Sequence, residues 1–201
     1  MATIYDLKPA FQRLLRGPSD ALARAGVTAN QVTILALLLS IGSGLLLYLF
    51  PLESWALALV PAVLFLRMAL NAIDGILARE HDMKTRLGAV LNELGDVISD
   101  AALYLPFAVI PGVPGRWVVL VVVVGILTEM AGVVSVQIGG SRRYDGPFGK
   151  SDRAFLFGLI ALLLAAGVGT GPWLDALLPA ACALGVLTIV KRIRGALREG
   201  P

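Results

Sequence analysis

Six long apolar runs, broken by short polar or Pro/Gly-bearing turns, leave this chain few ways to fold. They cover roughly residues 31–50, 55–79, 88–110, 117–138, 154–169 and 173–190. Each approaches the ~20 residues an α-helix needs to cross the hydrocarbon of a bilayer. Pro51, the stretch Pro111-Gly112-Val113-Pro114, and Gly171-Pro172 punctuate the turns. Of 201 residues, 57% are hydrophobic and 15% charged, and the mean hydropathy is +0.82. That excludes an ordinary soluble domain. The expected fold is all-α: an integral membrane bundle of six transmembrane helices.

The basic residues sort by side. Lys8, Arg13, Arg16 and Arg24 precede the first run; Arg79, Lys84 and Arg86 lie between the second and third. Arg142, Arg143, Lys150 and Arg153 lie between the fourth and fifth, and Lys191, Arg192, Arg194 and Arg198 follow the sixth. The opposite side receives only Arg116. Cytoplasmic connections carry the excess of Lys and Arg, so both termini are expected to face the cytoplasm and the chain to sit in the cell's inner membrane. Trp55, Trp117 and Trp173 fall at the outer ends of runs, where aromatic anchors belong.

Residues 4–25 form a separate element. Tyr5, Leu7, Phe11, Leu14 and Leu15 recur near helical spacing beside Lys8, Arg13 and Arg16, with an interruption expected at Gly17-Pro18. This predicts an amphipathic helix lying on the cytoplasmic membrane surface. It gives a domain plan of residues 1–28 for the interfacial helix and 29–201 for the bundle. The start of the chain is charged throughout and has no early apolar core, unlike a signal peptide. Cys182, the single cysteine, lies in an apolar run and is expected to be a packed thiol.

Against this apolar background the stretch from residue 71 to 100 stands out. It carries Asn71, Asp74, Asn92, Glu93, Asp96 and Asp100. An ionisable group within a membrane segment is costly and marks function. On a helix at about 100° per residue, Asn71, Asp74, Gly75 and Ala78 share an arc of ~100°. Asn92, Glu93, Asp96 and Asp100 share a similar arc on the next helix, with Gly88 one turn earlier. The short connection between them makes the two helices antiparallel neighbours. Their oxygens could surround one or two Mg2+ or Mn2+ ions, hard cations that prefer carboxylate and carbonyl ligands.

The spacing Asn71-x2-Asp74-Gly75-x2-Ala78-Arg79-x8-Gly88-x3-Asn92-x3-Asp96 resembles the signature of the CDP-alcohol phosphotransferases, D-x2-D-G-x2-A-R-x8-G-x3-D-x3-D. Glycines, alanine, arginine and two of the four acids match at the right intervals. Asn71 and Asn92 stand where the signature has its first and third aspartates. The resemblance extends over essentially the whole chain. It implies that an acceptor hydroxyl attacks the β-phosphate of a CDP-linked donor, CMP leaves and a phosphodiester forms. It further implies Mg2+ or Mn2+ as cofactor, Asp96 as the catalytic base, and Asp74 and Asp96 as metal ligands. Asn71 and Asn92 could still give carbonyl oxygens to that site, and Glu93 and Asp100, extras on the same side of the third run, could restore the lost charge; a single-metal site and a member that has lost catalysis are the alternatives. Asn71, Asp74, Gly75, Ala78, Arg79 and Gly88 would form the nucleotide-binding face. The implied partners are a CDP-linked donor, CDP-diacylglycerol above all, an acceptor alcohol, membrane lipids and a second copy in a homodimer; no nucleic acid is expected.

A second polar cluster, from Ser141 to Arg153, contains two glycines and a proline and reads as a structured turn. Arg142, Arg143, Lys150 and Arg153 could bind a phosphate of the acceptor or of lipid, with the following helix N-terminus assisting; topogenic charge and anionic-lipid contact explain them equally. Glu129 and Arg67, each in mid-run, are expected to pair with each other or to face a polar cavity. His81 is expected to be solvated. Two other readings stand beside the enzyme. One is a silent or altered relative that binds CDP-lipid or stabilises a partner. The other is a small transporter, disfavoured because the polar residues gather on two helices instead of lining a path.

Overall fold

The computed structural model describes residues 4–199, with side chains from residue 11 onward. Tyr5, Leu7 and Lys8, part of the expected amphipathic face, therefore have side chains outside the described residues, as do the outermost ends of both expected domains. Among the described residues seven α-helices follow one another: α1 (Ile4–Arg24), α2 (Ala29–Leu49), α3 (Ser54–Glu80), α4 (Arg86–Tyr104), α5 (Gly115–Gln137), α6 (Lys150–Ala165) and α7 (Pro172–Glu199). A 3-10 turn, Leu105–Val109, extends α4, and no strand occurs among the described residues.

The six apolar runs map one to one onto α2–α7. Four of these helices, α2, α3, α5 and α7, are long and apolar enough to cross a membrane by length and composition. The other two fall short for different reasons. Helix α4 carries Arg86, Glu93, Asp96 and Asp100 within its 19 residues. Helix α6 has only 16 residues, about 24 Å at 1.5 Å per residue against a hydrocarbon thickness of ~30 Å.

Helix α1 runs unbroken through Gly17-Pro18, where an interruption was expected. Proline removes one backbone donor and crowds the preceding turn. Ser19, fully buried, sends its hydroxyl to the Leu15 carbonyl at 2.8 Å, a bond that stays within the helix. Leu14 is 74% exposed, while Leu15, Leu22 and Ala23 pack on a core of Ala29, Val32 and Ala36 from α2 and Leu70, Ile73 and Leu77 from α3. Two polar pairs fasten the same helix to the end of α3: Arg16 to Glu80 at 3.2 Å and Asp20 to His81 at 3.0 Å. His81, in the link after α3 and 27% exposed, also gives α1 a polar contact.

The chain divides into two compact units. The first holds α1, α2 as far as Gly42, and the stretch Ala62–Ser99. The link between α3 and α4 is only residues 81–85, made possible by Asp82 in the left-handed region at φ 54°. Such a link makes the two helices an antiparallel hairpin. The second unit holds Ser43–Pro61 and everything from Asp100 onward. In its core Tyr104 stacks on Phe157 with ring centroids 4.3 Å apart, and Phe107 meets Phe157 edge-on at 5.2 Å. Helices α5 and α7 pack together, and a Cβ at Gly185 would lie 2.5 Å from Val124 Cγ1. Only glycine allows that approach.

Candidate functional site

Within the first unit, the two aspartates that the signature matches are differently held. Asp74, on α3, is buried, and its Oδ2 accepts the Thr33 hydroxyl of α2 at 2.8 Å. Asp96, on α4, keeps 26% of its side chain exposed. Its Oδ1 accepts Arg67 Nη2 at 3.2 Å and Asn71 Nδ2 at 3.1 Å. The same Arg67 nitrogen also reaches the Asp96 carbonyl at 3.0 Å. Arg67 is 3% exposed, so its charge is compensated by this carboxylate rather than by water. Arg67 and Asn71 are one helical turn apart on α3 and meet one residue of α4, which fixes the register of the hairpin around Asp96.

Asn92 is exposed and Glu93 half-buried on α4. Gly88 lies in the first turn of that helix: its N–H goes to Thr85 Oγ1 at 2.8 Å, and Asn30 of α2 reaches the same hydroxyl at 3.3 Å. A Cβ at Gly88 would lie 2.6 Å from Asn30 Oδ1. The space that glycine opens is thus shared with two polar side chains at the helix start. At Gly75 the neighbour is Arg79, whose guanidinium folds back to 3.1 Å from where a Cβ would be. Ala78 packs at the edge of the α1–α2–α3 core, and Arg79 is exposed.

The donor set suits one hard cation. Asp74 and Asp96 offer carboxylate oxygens, and the Asn71 and Asn92 amides can offer carbonyl oxygens. Asn71 presents its amide nitrogen to Asp96, so ligation through Asn71 requires a rotation of its amide group. Three acids do not converge as a ready-made cluster among the described residues.

Asp100 belongs to the second unit. Its Oδ2 accepts Arg153 Nη2 at 3.0 Å and Nε at 3.2 Å. Arg153, 2% exposed, also reaches Glu129 Oε1 at 3.0 Å and Thr128 Oγ1 at 3.1 Å. Glu129 in turn accepts Arg142 at 3.1 Å and lies 3.5 Å from Arg192 Nη1. Arg192, 1% exposed, donates to the carbonyls of Thr128, Asp145 and Tyr144. Glu129 thus pairs with Arg142, Arg153 and Arg192 within the second unit, and Arg67 with Asp96 within the first. The network has a sequence trace that a reading by spans misses. Gly125, Glu129 and Gly132 recur at helical spacing on α5, and added Cβ atoms would lie 3.0 Å from Arg153 Cδ and 1.8 Å from Arg142 Nη1. The glycines make room for guanidinium groups around the acid. Arg192, grouped in the sequence with surface charge, is the component that hydropathy conceals.

Asp152 reaches back to the Gly149 N–H at 2.8 Å, so the start of α6 already has an anion of its own. Arg142 lies over the Tyr144 ring at 4.7 Å. Arg143 donates to Asp145 Oδ1 at 2.9 Å and pairs with Glu199. Partial burial would raise the Asp145 carboxyl, but the Arg143 hydrogen bond and charge, with Lys191 nearby, hold it below the usual aspartate range. Lys150 is half-buried at the first position of α6.

These features accord with the relatives of the chain. It is 49% identical to the inner membrane protein YnbA of Escherichia coli over 195 residues, 97% of this chain and 96% of that protein. It is 30% identical to a phosphatidylinositol phosphate synthase of Mycobacterium marinum over 197 residues, 91% of this chain and 78% of the relative. The crystal structure of Mycobacterium tuberculosis phosphatidylinositol phosphate synthase in complex with manganese and citrate has the same fold, with a TM-score of 0.76 at 22% identity over 92% of this chain and 89% of that one. Its form with CDP-DAG bound superimposes at 0.75, again at 22% identity, over 92% and 94%. The profile of the CDP-alcohol phosphatidyltransferases matches residues 26–188, from the turn before α2 to well inside α7. The chain therefore belongs to the CDP-alcohol phosphatidyltransferase family and is a membrane phosphotransferase of phospholipid synthesis.

Proposed function

We propose that this enzyme transfers a phosphatidyl group from CDP-diacylglycerol to a small acceptor alcohol, releasing CMP, with Asp96 as the base. The observation that carries this reading is the setting of Asp96: a carboxylate partly open on one side and held on the other by Arg67 and Asn71. A general base must be presented in one orientation with a lone pair left for the proton it takes. Arg67 and Asn71 orient the carboxylate through Oδ1, and the partly exposed carboxylate takes the acceptor hydroxyl proton. The hydroxyl oxygen then bonds to the β-phosphorus, the bond from that phosphorus to the bridging oxygen breaks, and CMP departs with the electron pair. Asp74, Asp96, Asn71 and Asn92 are the residues to hold Mg2+ or Mn2+, and Glu93 lies beside them on α4. A bound divalent cation neutralises the pyrophosphate and the leaving phosphate. Gly75, Ala78, Arg79 and Gly88 form the nucleotide face, with the Arg79 guanidinium as phosphate partner.

For the acceptor's own phosphate, Arg142 and Lys150 are the residues we favour. Arg153 is engaged by Asp100, Glu129 and Thr128 and serves as an anchor of that region. The one-sided Lys and Arg distribution supports six crossings with both termini cytoplasmic. In that arrangement α4 and α6 cross as the polar and the short member of the bundle. A homodimer is the expected assembly.

Purified enzyme should release CMP from CDP-diacylglycerol when offered a panel of alcohols and phosphorylated alcohols with Mg2+ or Mn2+, and should stop in excess chelator. A chain that binds CDP-diacylglycerol in a metal-dependent way yet releases no CMP with any acceptor would be the silent relative instead.

A further inference from the structure

A cavity of about 360 Å3 lies on a side of α7 that the reaction does not use. Its walls include Leu187 and Val190, then Lys191, Arg194 and Arg198, with Arg143 and Asp145 from the preceding connection. At about 100° per residue, the five α7 residues share an arc of ~100° whose centre is ~150° from Arg192. Arg192 points into the buried Glu129 network, so this cavity is a separate place.

Its chemistry changes along the helix axis. Leu187 is 57% exposed and Val190 37%; both lie in the apolar part of a helix long enough to span a bilayer. One turn further, Lys191, Arg194 and Arg198 are exposed at its polar end. The lining has four cations and the carboxylate of Asp145, with Glu199 beside Arg143, so the cations remain in excess. That carboxylate is itself held by Arg143 at 2.9 Å. Arg143 is fixed from two sides, by Asp145 and Glu199. It lies across α7 where Gly195 has no side chain: a Cβ there would be 2.3 Å from Arg143 Nη2. A preorganised cation above an apolar wall, at the level where a span ends, matches a phosphodiester with acyl chains below it.

We propose that this groove binds one anionic phospholipid, its phosphate among Arg143, Lys191, Arg194 and Arg198 and its chains along Leu187 and Val190. Scattered basic residues at a membrane boundary attract anionic lipid diffusely. A groove with a fixed arginine and an apolar wall retains a single molecule.

The test is retention of lipid by the full chain purified in dodecyl maltoside and offered equimolar phosphatidylglycerol and phosphatidylcholine with identical acyl chains, counted by native mass spectrometry. The wild type should keep one phosphatidylglycerol with about tenfold preference or more. Arg194→Gln with Arg198→Gln should bring the two lipids to parity while the thermal midpoint stays unchanged, since both side chains are exposed. Gly195→Ala, which displaces the Arg143 guanidinium, should weaken retention in the same direction. Equal retention of the two lipids by the wild type, or an undiminished preference in the double variant, overturns the proposal. So does displacement of the lipid by an equal concentration of inorganic phosphate, which would mark a free-anion site.

Discussion

The two clusters of charge in this molecule are built on opposite plans. Around Glu129 in the second unit, Arg153 and Arg192 are almost wholly buried, and the acids Glu129 and Asp100 and several backbone carbonyls receive their donors. Around Asp96 in the first unit, one buried guanidinium and one amide hold a carboxylate that stays a quarter open. The first arrangement spends its polar groups on each other, so it can order helices but has little capacity left for a ligand. The second keeps part of its carboxylate exposed, as a group that must exchange partners during a reaction has to. Charge inside a membrane protein is thus not by itself a sign of a reaction centre. How completely it is satisfied separates an anchor from a site.

The widest gap between the two regions should appear in stability. Glu129→Ala leaves the surrounding guanidiniums without their shared acid, and removing one partner of a buried ion pair costs about 3–5 kcal/mol. A large drop in the thermal midpoint in detergent is expected; a small one would mean that water reaches this network and that the contrast is overdrawn. Asp96→Asn should act the other way. Its amide oxygen still accepts from Arg67 but no longer carries the charge that faces this buried guanidinium, so the midpoint should fall by less than in Glu129→Ala, while CMP release falls by at least about 100-fold if the carboxylate is the base. Comparable losses of midpoint and of turnover would merge the two clusters into one structural type. A smaller effect is expected from Thr33→Val, which removes the hydroxyl bound to Asp74 at 2.8 Å. That bond is worth about 1 kcal/mol, and its loss should raise the metal concentration needed for half-maximal activity more than it lowers the midpoint.

Much of this contrast could be read from the sequence, and the part that could not has a physical cause. Six apolar runs became α2–α7 because hydrophobic length and turn residues are local signals. The motif spacing placed Asp74 and Asp96 on two helices joined by a short connection for the same reason. What the sequence hides is partnership. Arg67 and Glu129 looked alike as lone charges in apolar runs, and only the fold assigns them to Asp96 and to the arginine network respectively. Asp100 is one turn beyond Asp96, yet its recorded bonds go to Arg153, 53 residues away in sequence. Long-range pairs of this kind leave no periodicity. The helix through Gly17-Pro18 is similar: local propensity argues for a break, and docking on α2 and α3 overrides it.

The smallest expected effect concerns the connection before α6. Asp145 titrates below its ordinary range because of Arg143. Its contribution is therefore fully present above the unfolded value of about 3.9 and is lost as pH falls through the lower folded value. Amides of residues 141–146 should keep constant hydrogen-exchange protection from pH 7 to about 4, after correction for the intrinsic exchange rate, and lose it below that. Asp145→Asn should remove the Asp145 part of that acid transition while leaving CMP release intact.

Asp74 and Asp96 are proposed as the metal site, while Asp100 pairs with Arg153 of the arginine network. Mn2+ binding followed by electron paramagnetic resonance, in wild type, Asp74→Asn and Asp100→Asn, tests this assignment most directly. Asp74→Asn should lose bound Mn2+, while Asp100→Asn should bind it with wild-type affinity. Loss of Mn2+ in Asp100→Asn, or wild-type binding in Asp74→Asn, would contradict it.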